Sequence, residues 1–393
     1  METGNPGVIR KLNRDAVLGF IRQSGACSRA ALAKALNLAP ATVSAVVKEL
    51  ISIDLLMEPG FGEEPHRSPG RPPRLVTLNP KAGYVFGFVL EITDARLSIA
   101  AMKIDYSGAV DPVKRFPIKG RRTLKAIETS TLEAFKALKK TLPRGSSVMG
   151  LAIGIPGVVR NQEILHAPRL PALLGTGFHE TLARKTRIPV YLENDVNLGL
   201  FSEAKFCPSL RQKNFGYLVI SEGVGSGLSL ADGVWTSRNW AGEIGHVPLP
   251  VPGHGLQTLE SVIGLDGSLV TELKALGVQF KGDDFQLIKP GTGARERRKI
   301  HDLIKKYIEY LSVAIQCLNS SVGLDELILN SRETGFLNHV YPALAERISE
   351  SPLKLSLSLS HKADDALIEG AALYGLHHSL PGIDHDKLMA KGY

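Results

Sequence analysis

Hydrophobic positions recur along this chain in two regimes, and the change falls near residue 83. In segment 13–23, Val17, Leu18 and Ile21 share one face, which predicts a helix. Ser28 is a good N-cap for a short Ala-rich helix over 30–36, and Asn37-Leu38-Ala39 interrupts it. Pro40 suits the first turn of a new helix over 40–51. That helix turns Val43, Val47 and Leu50 to one side and Ala41, Ser44, Ala45 and Lys48 to the other. Segments 55–58 and 74–78 read as strands around a polar loop rich in glycine and proline. Beyond Gly83, strands at 84–91, 97–104, 148–155, 190–193, 215–221, 227–231 and 326–329 alternate with helices at 124–138, 196–206, 295–320 and 363–380. Alternation of this kind gives an α/β fold with sheets covered by helices.

Two short helices, a tight turn and a second helix with a small polar outer face make a helix-turn-helix, and the strand pair adds the wing of a winged helix. Small residues let a helix approach the major groove, Ser and Thr reach base edges or phosphates, and Lys48 neutralises a phosphate. Ser28, Arg29, Ala41, Thr42, Ser44, Ala45 and Lys48 are therefore the candidate DNA contacts. Arg71, between Gly70 and Pro72, suits insertion into a narrow minor groove, or a stiff linker. The competing reading of the two helices is a hairpin that only packs. Net charge is +8, and residues 1–52, with seven Lys/Arg against three Asp/Glu, hold half of it.

Composition narrows the setting. A chain of 393 residues that is 44% hydrophobic and 22% charged is an ordinary globular one with two or three domains. No apolar run approaches the roughly 20 residues that span a membrane, and the N-terminal residues lack the apolar core of a secretory signal. Cys27, Cys207 and Cys317 lie far apart without metal-type spacing. A cytoplasmic protein with reduced thiols, and no membrane partner, is the expectation.

Candidate chemistry concentrates in 190–260. Asn194 and Asp195 follow a strand, where α/β folds place ligands. A glycine-rich turn (Gly223, Gly225, Gly227), the pair Glu243 and His246, and Glu260 follow. Gly154-Ile155-Pro156-Gly157, Glu193-Asn194-Asp195-Val196-Asn197, Ala241-Gly242-Glu243-Ile244-Gly245-His246 and Gly370-Ala371-Ala372 resemble, in order and spacing, the ROK family of repressors, open reading frames and sugar kinases. Ser28-Arg29-Ala30-Ala31-Leu32-Ala33, Ala41-Thr42-Val43-Ser44 and Gly70-Arg71-Pro72 resemble its repressor branch, responsive to xylose, N-acetylglucosamine or glucose. The resemblance implies a winged helix-turn-helix (1–66), a Pro/Gly/Arg linker (67–82) and a two-lobed, actin-like ATPase fold (83–393). The lobes would meet near 195, with the last helix packing back on the first. It also implies a sugar or sugar-phosphate effector held by Asn194, Asp195, Glu243, His246 and Glu260. In family kinases the Asp matching Asp195 is the general base that activates a sugar hydroxyl toward ATP.

This sequence departs from the kinase pattern on the nucleotide side. Leu90-Glu91-Ile92-Thr93-Asp94-Ala95 stands where the family has an Asp followed by Gly-Gly-Thr. Ser221-Glu222-Gly223-Val224-Gly225 carries a carboxylate in place of a hydroxyl, and an anion beside polyphosphate is repelled. The adenosine-side turn, usually Gly-Gly, is Asn330-Ser331. The family's zinc cysteines are missing from 247–258, and His246 with His254 cannot complete a four-ligand site. The expectations are no ATP, no zinc, no catalytic residue and Asp195 as a vestigial base. The chain would bind operator DNA as a homodimer, with tetramers open, and respond to a sugar it does not phosphorylate. The alternative is an ATP-dependent sugar kinase with a DNA-binding appendage, and a third is a scaffold responding to a protein partner.

Overall fold

The computed structural model describes residues 6–59, 74–93, 96–230, 233–234, 242–281, 284–362 and 365–379. The N-terminal part contains α1 (Pro6–Ser24), β1 (Cys27–Ser28), α2 (Arg29–Leu36), α3 (Pro40–Ser52), β2 (Leu56–Met57) and β3 (Leu75–Leu78). The Ser28 hydroxyl caps α2 by accepting from the Ala31 amide at 3.2 Å, and Pro40 opens α3. β3 is the centre of a three-stranded sheet, pairing antiparallel with β1 and with β2. Within 67–82, expected as linker, residues 75–78 thus belong to the sheet of the helix-turn-helix, while Arg71 and the loop around it lie outside the described residues.

The first lobe follows: β4 (Tyr84–Thr93), β5 (Arg96–Asp105), β6 (Lys114–Pro117), α4 (Leu124–Lys139), β7 (Val148–Ile155), the hairpin β8 (Val158–Arg160) and β9 (Glu163–His166), α5 (Phe178–Thr186) and β10 (Val190–Asn194). Its sheet runs β10-β7-β4-β5-β6, with β10, β7 and β4 parallel and the remainder antiparallel. α6 (Asp195–Phe206) then leads to the second lobe: β11 (Phe215–Ile220), β12 (Val224–Leu230), β13 (Gly233–Val234), the hairpin β14 (Pro248–Val251) and β15 (Gly255–Thr258), α7 (Leu259–Ile263), α8 (Ser268–Ala275), the hairpin β16 (Gln279–Lys281) and β17 (Asp284–Gln286), α9 (Ala294–Val322), β18 (Glu326–Ser331), α10 (Thr334–Ser349) and β19 (Ser356–Leu359). The second sheet runs β13-β12-β11-β18-β19. The chain ends its described part in α11 (Ala366–His378), which packs on β4, β7 and α6.

Helical periodicity explains α9, where Ile300, Leu303, Ile304, Tyr307, Leu311 and Ile315 are buried against the second sheet. The first sheet is apolar on both faces because α11 covers one and α4 with α5 the other. The N-terminal helices share a core with the first lobe: Val17, Leu18, Ile21, Val43 and Val47 join one cluster with Val85, Met102, Ile104, Tyr106 and Leu373. At that joint the Arg22 guanidinium lies 5.6 Å from the Tyr106 ring, and burial pushes the Asp15 carboxyl up to about 6.

α6 and α11 meet at backbone distance. A Cβ on Gly370 would collide with the Leu198 carbonyl, and one on Gly87 would collide with the Ala372 backbone. Gly370→Ala is expected to cost about 3 kcal/mol in a denaturant melt, since no side chain stands there to yield. Gly19→Ala, where a Cβ meets nothing within 4 Å, should leave stability unchanged or raise it by about 0.5–1 kcal/mol through helix propensity. Equal melts for both variants would contradict the packing described.

Candidate functional site

The cleft is assembled where β10 gives way to α6. Asn194 caps α6, its Oδ1 accepting from the Asn197 amide at 3.0 Å, while its Nδ2 donates to the Gly157 carbonyl at 2.8 Å. Both ends of this amide are thereby engaged in the protein, so Asn194 sets the geometry of the site as much as it lines it. Asp195 is the first residue of α6, and its Oδ1 accepts from the Val196 amide at 3.0 Å. Burial pushes its carboxyl up to about 7, two backbone amides oppose the shift, and the Glu243 charge adds to it.

From the second lobe come Glu243, His246 and Glu260. Gly242, at φ +79°, starts the turn that carries the first two, and its carbonyl accepts from the Ser226 hydroxyl at 2.6 Å. Glu243 lies 3.8 Å from His246 Nε2. Burial raises the Glu243 carboxyl; the His246 and His166 charges lower it, and Glu260 raises it. Glu260, in α7, reaches toward Gly223: a Cβ there would lie 2.9 Å from Glu260 Oε2. Sequence reasoning missed His166, at the end of β9, whose ring makes an edge contact with His246 at 6.3 Å between centroids. A histidine closing a short hairpin carries no periodic signal, and only the fold brings it to the cleft.

The nucleotide side differs from the sequence reading in three places. Gly225 and Gly227 are not in a turn but inside β12, where a Cβ would come within 2.9 Å of Val196 Cγ2 and of Asn197 Oδ1. They let α6 lie close on β12 and are not free to wrap a phosphate. Asn330 and Ser331 belong to β18 and are buried, with Asn330 Nδ2 donating to the Tyr217 hydroxyl. Glu222 is 7% exposed and held by Arg332 Nη1 at 2.6 Å, so its charge is balanced within the protein. β11 and β18 are parallel neighbours, with Ile220 opposite Ser331, which brings Glu222 and Arg332 together just past the two strand ends. At the first-lobe counterpart Glu91 pairs with Arg115 at 3.0 Å, and Asp94 and Ala95 lie outside the described residues.

Residues 247–258 are held as the β14–β15 hairpin, with Pro248 and Pro250 in β14 and His254 exposed at its tip. Among the described residues there is no cluster of three or more His, Cys, Asp or Glu suited to a metal. Nor is any single helix among them long and apolar enough to cross a membrane. Arg169, on the loop after β9, reaches Asp266 beyond α7 at 3.6 Å, a contact between the lobes.

On the helix-turn-helix, Ala41, Ala45 and Lys48 are exposed and Thr42 and Ser44 partly so, all on the face of α3 opposite Val43, Val46, Val47 and Leu50. Ser28 is committed to capping α2. Arg29 bonds Glu58 at 2.7 Å, and Arg74 approaches the same carboxylate at 3.5 Å.

Comparison with known proteins agrees with this architecture. Residues 98–261, somewhat under half of the chain, match the model of the ROK family. It is 27% identical over 250 residues to a putative xylose repressor of Caldicellulosiruptor sp., covering 63% of this chain and 61% of that one, less than two thirds of its length. It is 26% identical over 379 residues to the xylose repressor of Bacillus spizizenii, covering 90% and 94%. Among solved structures, a ROK family transcriptional regulator described as a homologue of the E. coli MLC protein superposes with a TM-score of 0.72 at 22% identity, over 98% of this chain and 99% of that one. A ROK family glucokinase from Streptomyces griseus, in complex with glucose and AMPPNP, superposes with a TM-score of 0.59 at 18% identity over 75% and 100%. The fold is thus a mixed α/β one shared with a ROK family transcriptional regulator and a ROK family glucokinase.

The Asp195 shift carries a stability signature. An unfolded aspartate ionises near pH 3.9, whereas this one holds its proton to about 7. Between those values the folded state binds more protons, so Asp195 lowers stability as pH rises through the window and adds no further loss above it. Asp195→Asn should therefore melt above wild type at pH 8, by about 2–4 °C for each kcal/mol relieved, with the gap narrowing as pH falls and closing near pH 4. A gap that is constant with pH would contradict the assignment.

Proposed function

We propose that this protein is a sugar-responsive, DNA-binding transcriptional regulator of the repressor kind that binds its effector without phosphorylating it. The observation that carries this reading is the division of one cleft into two unlike halves. Asp195, Glu243, His246 and Glu260 gather hydrogen-bonding groups suited to a ring of sugar hydroxyls, whose neighbouring oxygens each offer a donor and an acceptor. On the other side, the Glu222–Arg332 pair and the burial of Asn330 and Ser331 support a reading in which no nucleotide is bound. Asp195 acts as a hydroxyl acceptor, not as a base.

The exposed Ala41, Ser44, Ala45 and Lys48 face supports major-groove docking of α3, with Thr42 and Arg29 at phosphates and Arg71 in the minor groove. Two-fold pairing of chains on a palindromic operator fits such a head, and the relatives it resembles are named xylose repressors. Sugar binding biases an equilibrium between lobe arrangements, and the head follows through its shared core with the first lobe. ATP and zinc are not part of this reading, and the cytoplasm is where such a protein works.

One observation favours the kinase alternative: a carboxyl that titrates near pH 7 is well placed as a general base. A coupled ADP-release assay over a panel of sugars separates the two. The regulator reading expects no turnover; turnover abolished by Asp195→Asn would overturn it.

DNA binding is read by gel shift with the promoter region of the protein's own gene, with and without D-xylose, D-glucose or N-acetyl-D-glucosamine. Retardation relieved by one of these sugars is expected. Lys48→Ala should weaken retardation and lower the slope of log affinity against log salt by about 1. No retardation under any condition would refute the reading.

A further inference from the structure

The sugar-side groups named so far leave the first lobe with Asp195 and an Asn194 already engaged in capping. Something else on that lobe must meet Glu243 and His246 if a ligand is to hold the lobes together. We propose that His166 is that group: a specificity-determining effector contact that closes from the first lobe on the same hydroxyl edge that Glu243 and His246 hold from the second. The inference rests on the sugar-binding reading above and deepens it.

Placement is the first support. The β8–β9 hairpin is anchored at both ends. At its tip Asn161 and Gln162 adopt left-handed backbone, at φ 51° and 65°, and Gln162 Oε1 accepts from the Leu192 amide of β10 at 2.6 Å. At its base His166 pairs with Val158, and the Gly157 carbonyl accepts from Asn194 Nδ2 at 2.8 Å. A Cβ on Gly157 would collide with the His166 carbonyl, so that strand end is locked beside the start of α6. A residue whose backbone is so fixed leaves only its side-chain rotamer to be ordered on binding, which suits a recognition residue.

The second support is what His166 faces. Its ring meets His246 edge-on at 6.3 Å, and its charge is felt by Glu243, which itself lies 3.8 Å from His246 Nε2. Two imidazoles and a carboxylate from opposite lobes thus converge on one end of the cleft, and His166 is partly exposed there. An imidazole donates through one nitrogen and accepts through the other, which matches a hydroxyl that does both. The ligand class this favours is an uncharged aldose rather than a phosphorylated one. Asp195, Glu243 and Glu260 set an acidic tone in the cleft, and the arginine nearest His166 in sequence, Arg169, is drawn to Asp266 at 3.6 Å.

The test is calorimetric titration of full-length wild type, His166→Ala and His166→Gln with D-xylose, D-glucose and D-glucose 6-phosphate, alongside the melting temperature of each unliganded protein. Wild type is expected to bind at least one uncharged sugar in preference to the phosphate. His166→Ala should weaken that binding about tenfold or more with an unchanged melt, and His166→Gln, which keeps a donor and an acceptor, should recover part of it. Equal affinity in wild type and His166→Ala overturns the role of His166 and leaves the sugar reading standing. Preference for the phosphorylated sugar overturns the ligand class. Loss of affinity matched by a lowered melt assigns His166 to folding and overturns the contact. No binding of any sugar by wild type overturns both readings.

Discussion

The passage of α6 through the middle of the molecule at backbone distance is the constraint on which the rest depends. Its start is pressed on β7, where a Cβ on Gly154 would lie 3.4 Å from the Asp195 Cα. One flank lies on β12 at Gly225 and Gly227, and another lies on α11 at Gly370. Asp195 is presented by this helix, so the same close contacts that join the lobes also aim the carboxylate. α11 in turn packs on β4, whose residues share a core with α1 and α3. The cleft, α11 and the N-terminal helices are therefore linked by dispersion contacts between packed elements.

Electrostatics then divides the cleft. Burial raises Asp195 and Glu243 above the ordinary carboxylate range, and Asp195 is raised further by the Glu243 charge. That strain is tolerated where a ligand hydroxyl can relieve it, and buried polar groups without such a purpose are costly. The opposite side solves its charge internally. Glu222, nearly buried, would be an expensive anion alone, and Arg332 at 2.6 Å offsets its charge.

The sequence made the periodic elements legible. The apolar faces of α3 and α9, the Ser28 cap and the Pro40 start follow from local rules, and the structure has each within a few residues of its expected place. Asn194 and Asp195 were legible as a strand-end pair, and the structure has them at the junction of β10 and α6. What escaped depends on contacts far apart in the chain. Nothing near Glu222 announces Arg332, because β11 and β18 become neighbours only in the folded sheet. Gly225 and Gly227 read as part of a glycine-rich turn because the helix they accommodate is not visible in their own neighbourhood. His166 lacks any pattern of its own, and its place is set by Gln162 and Gly157 gripping β10 and Asn194.

The proposed division of the cleft, with a sugar held on one side and no nucleotide on the other, is read directly by one experiment. Crystals of the full chain grown with saturating D-xylose or D-glucose and a non-hydrolysable ATP analogue should show sugar between Asp195, Glu243, His246 and Glu260, with the Glu222–Arg332 pair closed and no nucleotide beside it. Nucleotide phosphates lodged between the turns after β11 and β18, with that pair broken, would contradict the account.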